Sequence, residues 1–354
     1  MNLSHLGFSS WFQAQSPEPP NPECRIARVS AVNKNSYLLR NETCEVFAEL
    51  SGSLEYFANS SLDIPTVGDW VFAQYHNDDT FAVIHGLLPR KSMLRRKTPF
   101  KKVDFQLIAA NIDTALIIQA CDFDFNLRRL ERYLVMVNEG GIEPLLLLTK
   151  SDLVSPETVR QRIGEVNEAN LHSRVIPVSN LTGEGLGQVR QLLQPAKTYC
   201  LLGSSGVGKS TLINNLVGCD QFETNLVREK DGKGRHTTTR RQLIILDEGA
   251  ILIDTPGIRE LANIGAEQGI GEVFADLQEL SQKCRFSDCT HTRENGCALL
   301  EAVSRGEVSE ERYHSYLKLL KESEVYEMSY LERRQKDREF GKRVKQVMKH
   351  YKKK

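Results

Sequence analysis

A chain of 354 residues, 40% hydrophobic and 26% charged, is long enough for two or three separate cores and too ordinary in composition for a fibrous or disordered protein. Its 46 basic and 46 acidic side chains cancel, so no whole-chain field favours nucleic acid and any such attraction has to be local. No window approaches the roughly eighteen uninterrupted apolar residues of a membrane span, and the N-terminus lacks a basic region followed by an apolar run, so the expectation is a soluble cytoplasmic protein with no membrane partner.

Residues 1–23 form an N-terminal arm ending in "SPEPPNP", a run that cannot enter a helix interior or a central strand and reads as a tether. Across residues 24–95, the β-branched and aromatic runs "RIARVSAV", "SYLLR", "CEVFAEL", "DWVFAQY" and "FAVIHGLL" alternate with turn residues. Five short strands so spaced predict a small closed β-barrel, OB-like or SH3-like. Residues 96–104 continue a basic stretch, "PRKSMLRRKTPFKK", without apolar periodicity; it suits a solvated linker and a phosphate-contacting strip equally.

From residue 105 to 271 the pattern changes to apolar runs alternating with helical stretches, among them "TALIIQA", "EPLLLLTK", "RVIPVS", "TYCLLG" and "AILIDTPG". Continuous apolar strands alternating with helices predict an α/β domain with a parallel sheet covered on both faces. Residues 272–354 hold a Cys/His cluster followed by a charged, helical region, and the last 24 residues carry 11 Lys or Arg against 3 Asp or Glu. That tail is either a solvated helix end or a phosphate-contacting segment. Of eight cysteines, Cys24, Cys44, Cys121, Cys200 and Cys219 are scattered singly, whereas Cys284, Cys289 and Cys297 cluster; this distribution fits reduced thiols and one metal site.

Gly203, Ser204, Ser205, Gly206, Val207, Gly208, Lys209, Ser210 and Thr211 match G-x-x-x-x-G-K-S/T, with an apolar run before and a helical run after. In such a loop the glycines let backbone N–H groups wrap a β-phosphate, Lys209 reaches the β and γ oxygens, and the Ser210 hydroxyl ligates Mg²⁺. Some forty residues on, "AILIDTPGI" delivers Asp254 to the Mg²⁺ side and Gly257 to the γ-phosphate. Before the phosphate loop, at the end of the "LLLL" run, stands "TKSD". Asp152 can accept from N1 and N2 of guanine, a pattern adenine lacks, while the stem of Lys150 covers the base. Thr149 occupies the place where GTPases commonly carry Asn. Ser179 and Asn180 follow "RVIPV", where GTPases commonly carry Ser-Ala. A helix N-cap is the competing reading of TKSD; its place at the C-terminal end of a strand favours the ligand site.

The barrel, TKSD, the Ser179 strand, GSSGVGKST, GRHTTT, DTPG and a C-x4-C-x-H-x5-C pattern, in this order over about residues 24 to 320, resemble the circularly permuted, ribosome small-subunit-dependent GTPases of the RsgA/YjeQ type. The resemblance implies an OB-fold barrel, a GTPase domain of permuted motif order, a zinc-binding C-terminal domain, and hydrolysis of GTP stimulated by the small ribosomal subunit during its maturation. Its partners would be GTP or GDP and the small subunit with its rRNA, with the chain itself monomeric. A sheet is held by pairing and packing rather than by chain order, so its ends can be rejoined and a new break opened in a surface loop. The new break puts GRHTTT and DTPG directly before the zinc domain, and the γ-phosphate is expected to control that domain and RNA binding through them.

Within "KDGKGRHTTTRRQ", Thr239 first and Thr238 second are the candidates for a switch ligand to Mg²⁺. Ile258 follows DTPG where many GTPases carry a water-orienting glutamine; an aliphatic chain cannot do this, so unassisted turnover should be slow and His236 is the candidate for placing the water. Cys284, Cys289, His291 and Cys297 offer three thiolates and an imidazole in one short loop, enough to close around a single structural Zn²⁺. Two other functions compete: a nucleotide-controlled RNA-binding clamp with incidental hydrolysis, and a P-loop ATPase, which conflicts with Asp152.

Overall fold

The structure, a computed structural model, describes residues 2–33, 36–58, 60–97, 105–169, 171, 173–218, 241–254 and 267–327. The chain divides into two compact units, one of Met1–Arg96 with Phe105–Leu261 and the other of Lys97–Asp104 with Ala262–Lys354.

In the first unit, strands β1 (Arg25–Val32), β2 (Tyr37–Arg40), β3 (Glu45–Leu50), β4 (Trp70–His76) and β5 (Phe81–Leu87) pair in the order β1-β2-β3-β5-β4, and β4 returns to β1. The circuit is a closed five-stranded barrel, with β3 and β5 its one parallel pair. Alternating inward residues, including Val29, Leu39, Val46, Ala48, Val71 and Ile84, fill its interior. The expected small closed barrel is thus present, in the OB-like strand order.

The arm is not merely a tether. Its short helix α1 (Ser10–Gln15) and the turn before it bury Leu6 and Phe12 against Trp70, Phe72 and Leu88 of the barrel. Leu6 comes from the turn Leu3–Leu6 and Phe12 from the helix, so each short piece turns one apolar side chain to the barrel. A second barrel helix, α2 (Gly52–Phe57), is capped by the Ser51 hydroxyl, which accepts from the Leu54 N–H.

Strands β6 (Met93–Lys97) and β7 (Phe105–Ala110) form a two-stranded sheet, so the basic stretch is strand in its middle part; residues 98–104 lie outside the described residues. Then come β8 (Thr114–Ala120), α3 (Leu127–Glu139), β9 (Glu143–Thr149), α4 (Pro156–Glu168), β10 (Arg174–Pro177), α5 (Leu186–Leu192), β11 (Thr198–Leu202), α6 (Lys209–Val217), β12 (Arg241–Ile245) and β13 (Ile251–Asp254). Their order is β10-β9-β8-β11-β13-β12, parallel except for β12. The strands are apolar on both faces because helices cover both. Leu116, Ile118, Leu147 and Leu201 pack with Val189, Leu212 and Leu216, while Leu130, Tyr133, Leu134 and Val137 of α3 are also buried.

Barrel and parallel sheet are one continuous sheet of eleven strands, because β1 pairs with β12 through Ala31 with Gln242 and Val32 with Arg241. At this junction the Arg28 guanidinium, 1% exposed, donates to the carbonyls of Leu6, Gly68 and Asn111 and to the Thr198 hydroxyl. Burial lowers its pKa to about 10, which leaves it charged at neutral pH.

The second unit is helical: α7 (Glu267–Val273), α8 (Ala275–Ser281), α9 (Ala298–Ser304) and α10 (Glu310–Glu327). Arg312 of α10 donates to Asp276 at 2.8 Å and lies 5.0 Å over the Phe274 ring, pinning α10 to α8. Among the described residues no helix is long and apolar enough to cross a membrane.

Candidate functional site

The central strand β11 lies between β8 and β13, and its C-terminal end turns into the loop 203–208 before α6. Gly203 allows the turn: a Cβ there would sit 2.4 Å from the Ile118 carbonyl oxygen of the neighbouring strand. Gly208, at φ 95°, occupies a left-handed conformation that favours glycine and opens α6. Lys209 curls back over the loop, its ammonium donating to the carbonyls of Gly203 at 2.8 Å and Ser204 at 2.6 Å. Ser205, Gly206 and Ser210 are exposed along the same edge, and Thr211 is half-buried. Asp254 ends β13 one residue beyond Ile253, the partner of Cys200, so the strand pairing carries its carboxylate to the same end of the sheet as the loop.

The segments that precede this loop in sequence converge on it. Thr149, the fully buried last residue of β9, donates through its hydroxyl to the Val207 carbonyl at 2.6 Å. Lys150 has φ 57°, an uncommon left-handed conformation for a residue with a side chain, and its ammonium lies 2.8 Å from the Asp122 carboxylate. Asp152 follows in a short 3₁₀ turn and is half-buried. Ser179 is fully buried, and its hydroxyl accepts from the N–H groups of Leu181 at 3.2 Å and Thr182 at 3.0 Å, folding the loop after β10. From that loop Asn180 donates through its side-chain amide to the Gly208 carbonyl at 3.0 Å, and Asn215 of α6 donates back to the Asn180 carbonyl at 3.0 Å. Thr149, Asn180 and the phosphate loop, dispersed over some sixty residues of chain, therefore form one hydrogen-bonded edge.

Sequence reasoning missed Asp122 and Asp124, which belong to no recognised motif. They sit in the loop after β8, where Asp124 accepts from the Ser204 hydroxyl at 3.0 Å. His236, Thr238, Thr239 and Gly257 lie outside the described residues. A cleft of about 480 Å³ opens at the opposite ends of the strands, lined by Asp113, Thr114, Glu143, Arg174 and Lys197; none of the predicted site residues lines it. The described candidates for the nucleotide site, from Thr149 to Asp254, instead occupy the carboxyl ends, where open parallel sheets bind ligands.

In the helical unit, the ligand atoms of Cys284, Cys289, His291 and Cys297 all lie within 4.8 Å of one another. The Cys284 sulfur is 3.5 Å from His291 Nδ1 and 3.9 Å from the Cys297 sulfur, and the Cys297 sulfur is 3.6 Å from that nitrogen. A tetrahedral Zn²⁺ with bonds of about 2.3 Å to sulfur and 2.0 Å to nitrogen sets its ligands roughly 3.5 to 3.8 Å apart, which is close to the spacing of the Cys284, His291 and Cys297 donors. The loop is shaped by His291 at φ 58°, by the Arg285 N–H donating to the Gly296 carbonyl at 3.0 Å, and by Tyr313 of α10 donating to the His291 carbonyl at 2.5 Å. Burial and hydrogen bonding with neighbouring thiols push Cys289 up to about 11, and burial lowers the pKa of His291, which favours the neutral imidazole a metal needs. Thiols so crowded ionise together only around a cation.

The family model described as RsgA GTPase matches residues 87–263. A protein of Vibrio parahaemolyticus named small ribosomal subunit biogenesis GTPase RsgA 2 is 39% identical over 346 residues, 98% of this chain and 92% of its own. A protein of the same name from Lactiplantibacillus plantarum is 40% identical, covering 98% of both chains. Among solved structures, YjeQ from Thermotoga maritima superposes with a TM-score of 0.62 at 25% identity, over 85% of this chain and 98% of its own. YloQ, described as a circularly permuted GTPase, does so with a TM-score of 0.59 at 23% identity, over 89% of this chain and all of its own. Identity of this extent along nearly the whole chain, on a sheet that brings TKSD back to the phosphate loop despite their reversed order, makes the protein a member of the RsgA GTPase family.

Proposed function

We propose that the protein hydrolyses GTP as a maturation factor of the small ribosomal subunit, acting as a monomer in the cytoplasm, with its nucleotide state controlling the zinc-binding unit and contact with rRNA. The observation that carries the nucleotide site is the Thr149 to Val207 hydrogen bond, which fastens the base-reading strand to the phosphate loop. Asp152 accepts from the guanine N1 and N2 groups, the Lys150 stem covers the base, and the Ser179–Asn180 loop offers backbone N–H to O6. The N–H groups of residues 203–211 hold the β-phosphate at the start of α6, and Lys209 moves from the loop carbonyls to the β and γ oxygens.

Ser210 and Asp254, with Thr239 or Thr238, would hold Mg²⁺, which supplies charge neutralisation between the β- and γ-phosphates. Water attacks the γ-phosphorus as the bond to the bridging oxygen of GDP breaks. Gly257 would meet the γ-phosphate and His236 the water. Cys284, Cys289, His291 and Cys297 would hold one Zn²⁺ whose role is structural, since four protein donors leave no open position.

Support for the ribosomal role comes from the relatives, named for small-subunit biogenesis along nearly the whole of this chain. GTP hydrolysis measured with and without purified small subunits tests it. A rise of at least tenfold on adding subunits is expected, and an unchanged rate would remove the ribosomal assignment.

A further inference from the structure

Between β8 and α3 the loop Cys121–Asn126 carries two carboxylates that face different ends of the nucleotide site. Asp122 accepts the Lys150 ammonium at 2.8 Å through one oxygen and the Asp124 N–H at 3.0 Å through the other. Asp124 accepts the Ser204 hydroxyl at 3.0 Å and both terminal nitrogens of Arg129, at 3.1 and 2.8 Å. Behind them Asn126 caps α3, accepting from the Arg129 N–H at 2.9 Å, so the loop is fastened to a helix. Between the two acids Phe123 is 97% exposed, at the tip of a turn closed by the Phe125 N–H donating to the Asp122 carbonyl at 3.0 Å.

These bonds act on groups that would otherwise wander. A lysine ammonium tends to reach for water, and the Lys150 side chain is still 32% exposed, whereas that of Asp122 is only 10% exposed. Held by Asp122, the ammonium fixes the direction of its stem. The left-handed backbone at Lys150 shows the same over-determination, since such a conformation persists only when its surroundings impose it. Burial opposes ionisation of Asp122, but the Lys150 bond and the Asp124 N–H outweigh it and hold the carboxyl below the usual range.

We propose that this loop is a positioning brace of the guanine-nucleotide site, in which Asp122 holds Lys150 over the base and Asp124 holds Ser204 in the phosphate loop. The inference rests on the guanine-site reading above and adds two residues that touch neither base nor phosphate. Because each acts through another residue, each leaves a signature in a double-mutant cycle.

The test uses the full-length protein and a fluorescent GDP analogue. Asp122→Asn is expected to raise Kd about tenfold in the wild-type background, between the effects of exposed and buried pairs, yet by less than about twofold once Lys150→Met has been made. Asp122→Glu, which keeps the charge, should stay within about threefold of wild type, and Asp124→Asn should lose its effect in a Ser204→Ala background. Thermal midpoints recorded alongside identify a variant that fails to fold, for which Asp122→Ser with and without Lys150→Met gives the same comparison. Equal losses in both backgrounds, or no loss, overturn the brace. The guanine-site reading has its own control: Asp152→Asn must exchange guanosine for xanthosine preference, and if it does not, that reading falls and the brace with it.

Discussion

The Thr149 hydroxyl, wholly buried, donates to the carbonyl of Val207 at 2.6 Å, and through this one bond a strand that comes early in the chain is tied to a loop almost sixty residues later. A threonine here, in place of the asparagine usual in GTPases, therefore serves the phosphate loop first. The side-chain amide of Asn180 supplies a second tie, to Gly208.

Removing the first tie should be measurable. Thr149→Val keeps the shape but leaves a buried carbonyl unpaired, which costs about 1–3 kcal/mol of stability and weakens GDP binding. Thr149→Ser should stay close to wild type. Urea unfolding and nucleotide titration check both, and unchanged GDP affinity in Thr149→Val would show that the tie plays no part in the site.

Base selection should sit in Asp152. Asp152→Asn offers an amide where a carboxylate accepted two hydrogen bonds, so GTP affinity should fall about 100-fold while xanthosine triphosphate binds better. Competition titrations against both nucleotides decide this.

The Arg28 guanidinium satisfies four oxygens at the meeting of arm, barrel and parallel sheet. Arg28→Met should lower the unfolding free energy by about 3 kcal/mol because several buried acceptors lose their donor together. Its folded-state pKa, about 10, lies below the unfolded value of 12.5, so the unfolded chain binds the extra proton only above pH 10. Stability therefore rises with pH from this group only above that value and is flat with respect to it at neutrality. Denaturant midpoints from pH 6 to 9 should show the same gap between variant and wild type throughout.

Metal removal should act locally. Chelation is expected to release one zinc per chain and to unfold the loop from Cys284 to Cys297, while GDP affinity, carried by the other unit, is retained. Elemental analysis with hydrogen exchange tests this; loss of GDP binding on chelation would contradict it.

His236 is expected to place the attacking water, since Ile258 cannot. His236→Ala should lower the subunit-stimulated rate by about 100-fold and leave GDP affinity unchanged. Equal stimulated rates would remove His236 from the reaction.

How much of this was legible beforehand follows from range. The phosphate loop, TKSD and the Cys/His loop are local patterns, in which a few adjacent residues have to bind one ligand, and the spacing of strand and helix is local as well. The docking of Leu6 and Phe12 onto Trp70 was not foreseen, because these apolar residues follow no regular period and only the barrel surface gives them a place to bury. Asp122 and Asp124 were invisible for a related reason: an acid in a loop is solvated unless another part of the chain presents a partner.

Taken alone, the amino-acid sequence determined the chemical character of each segment: a loop suited to phosphate, an acid suited to guanine, thiols suited to zinc. It also determined the periodicities that make strands and helices. Tertiary structure alone decided that segments in reversed order share one edge, that Thr149 reaches Val207 rather than only a ligand, and that Arg28 joins three parts of one unit. The physical reason is that side-chain character is a property of each residue, whereas a hydrogen bond or buried contact exists only after distant strands have paired and excluded water.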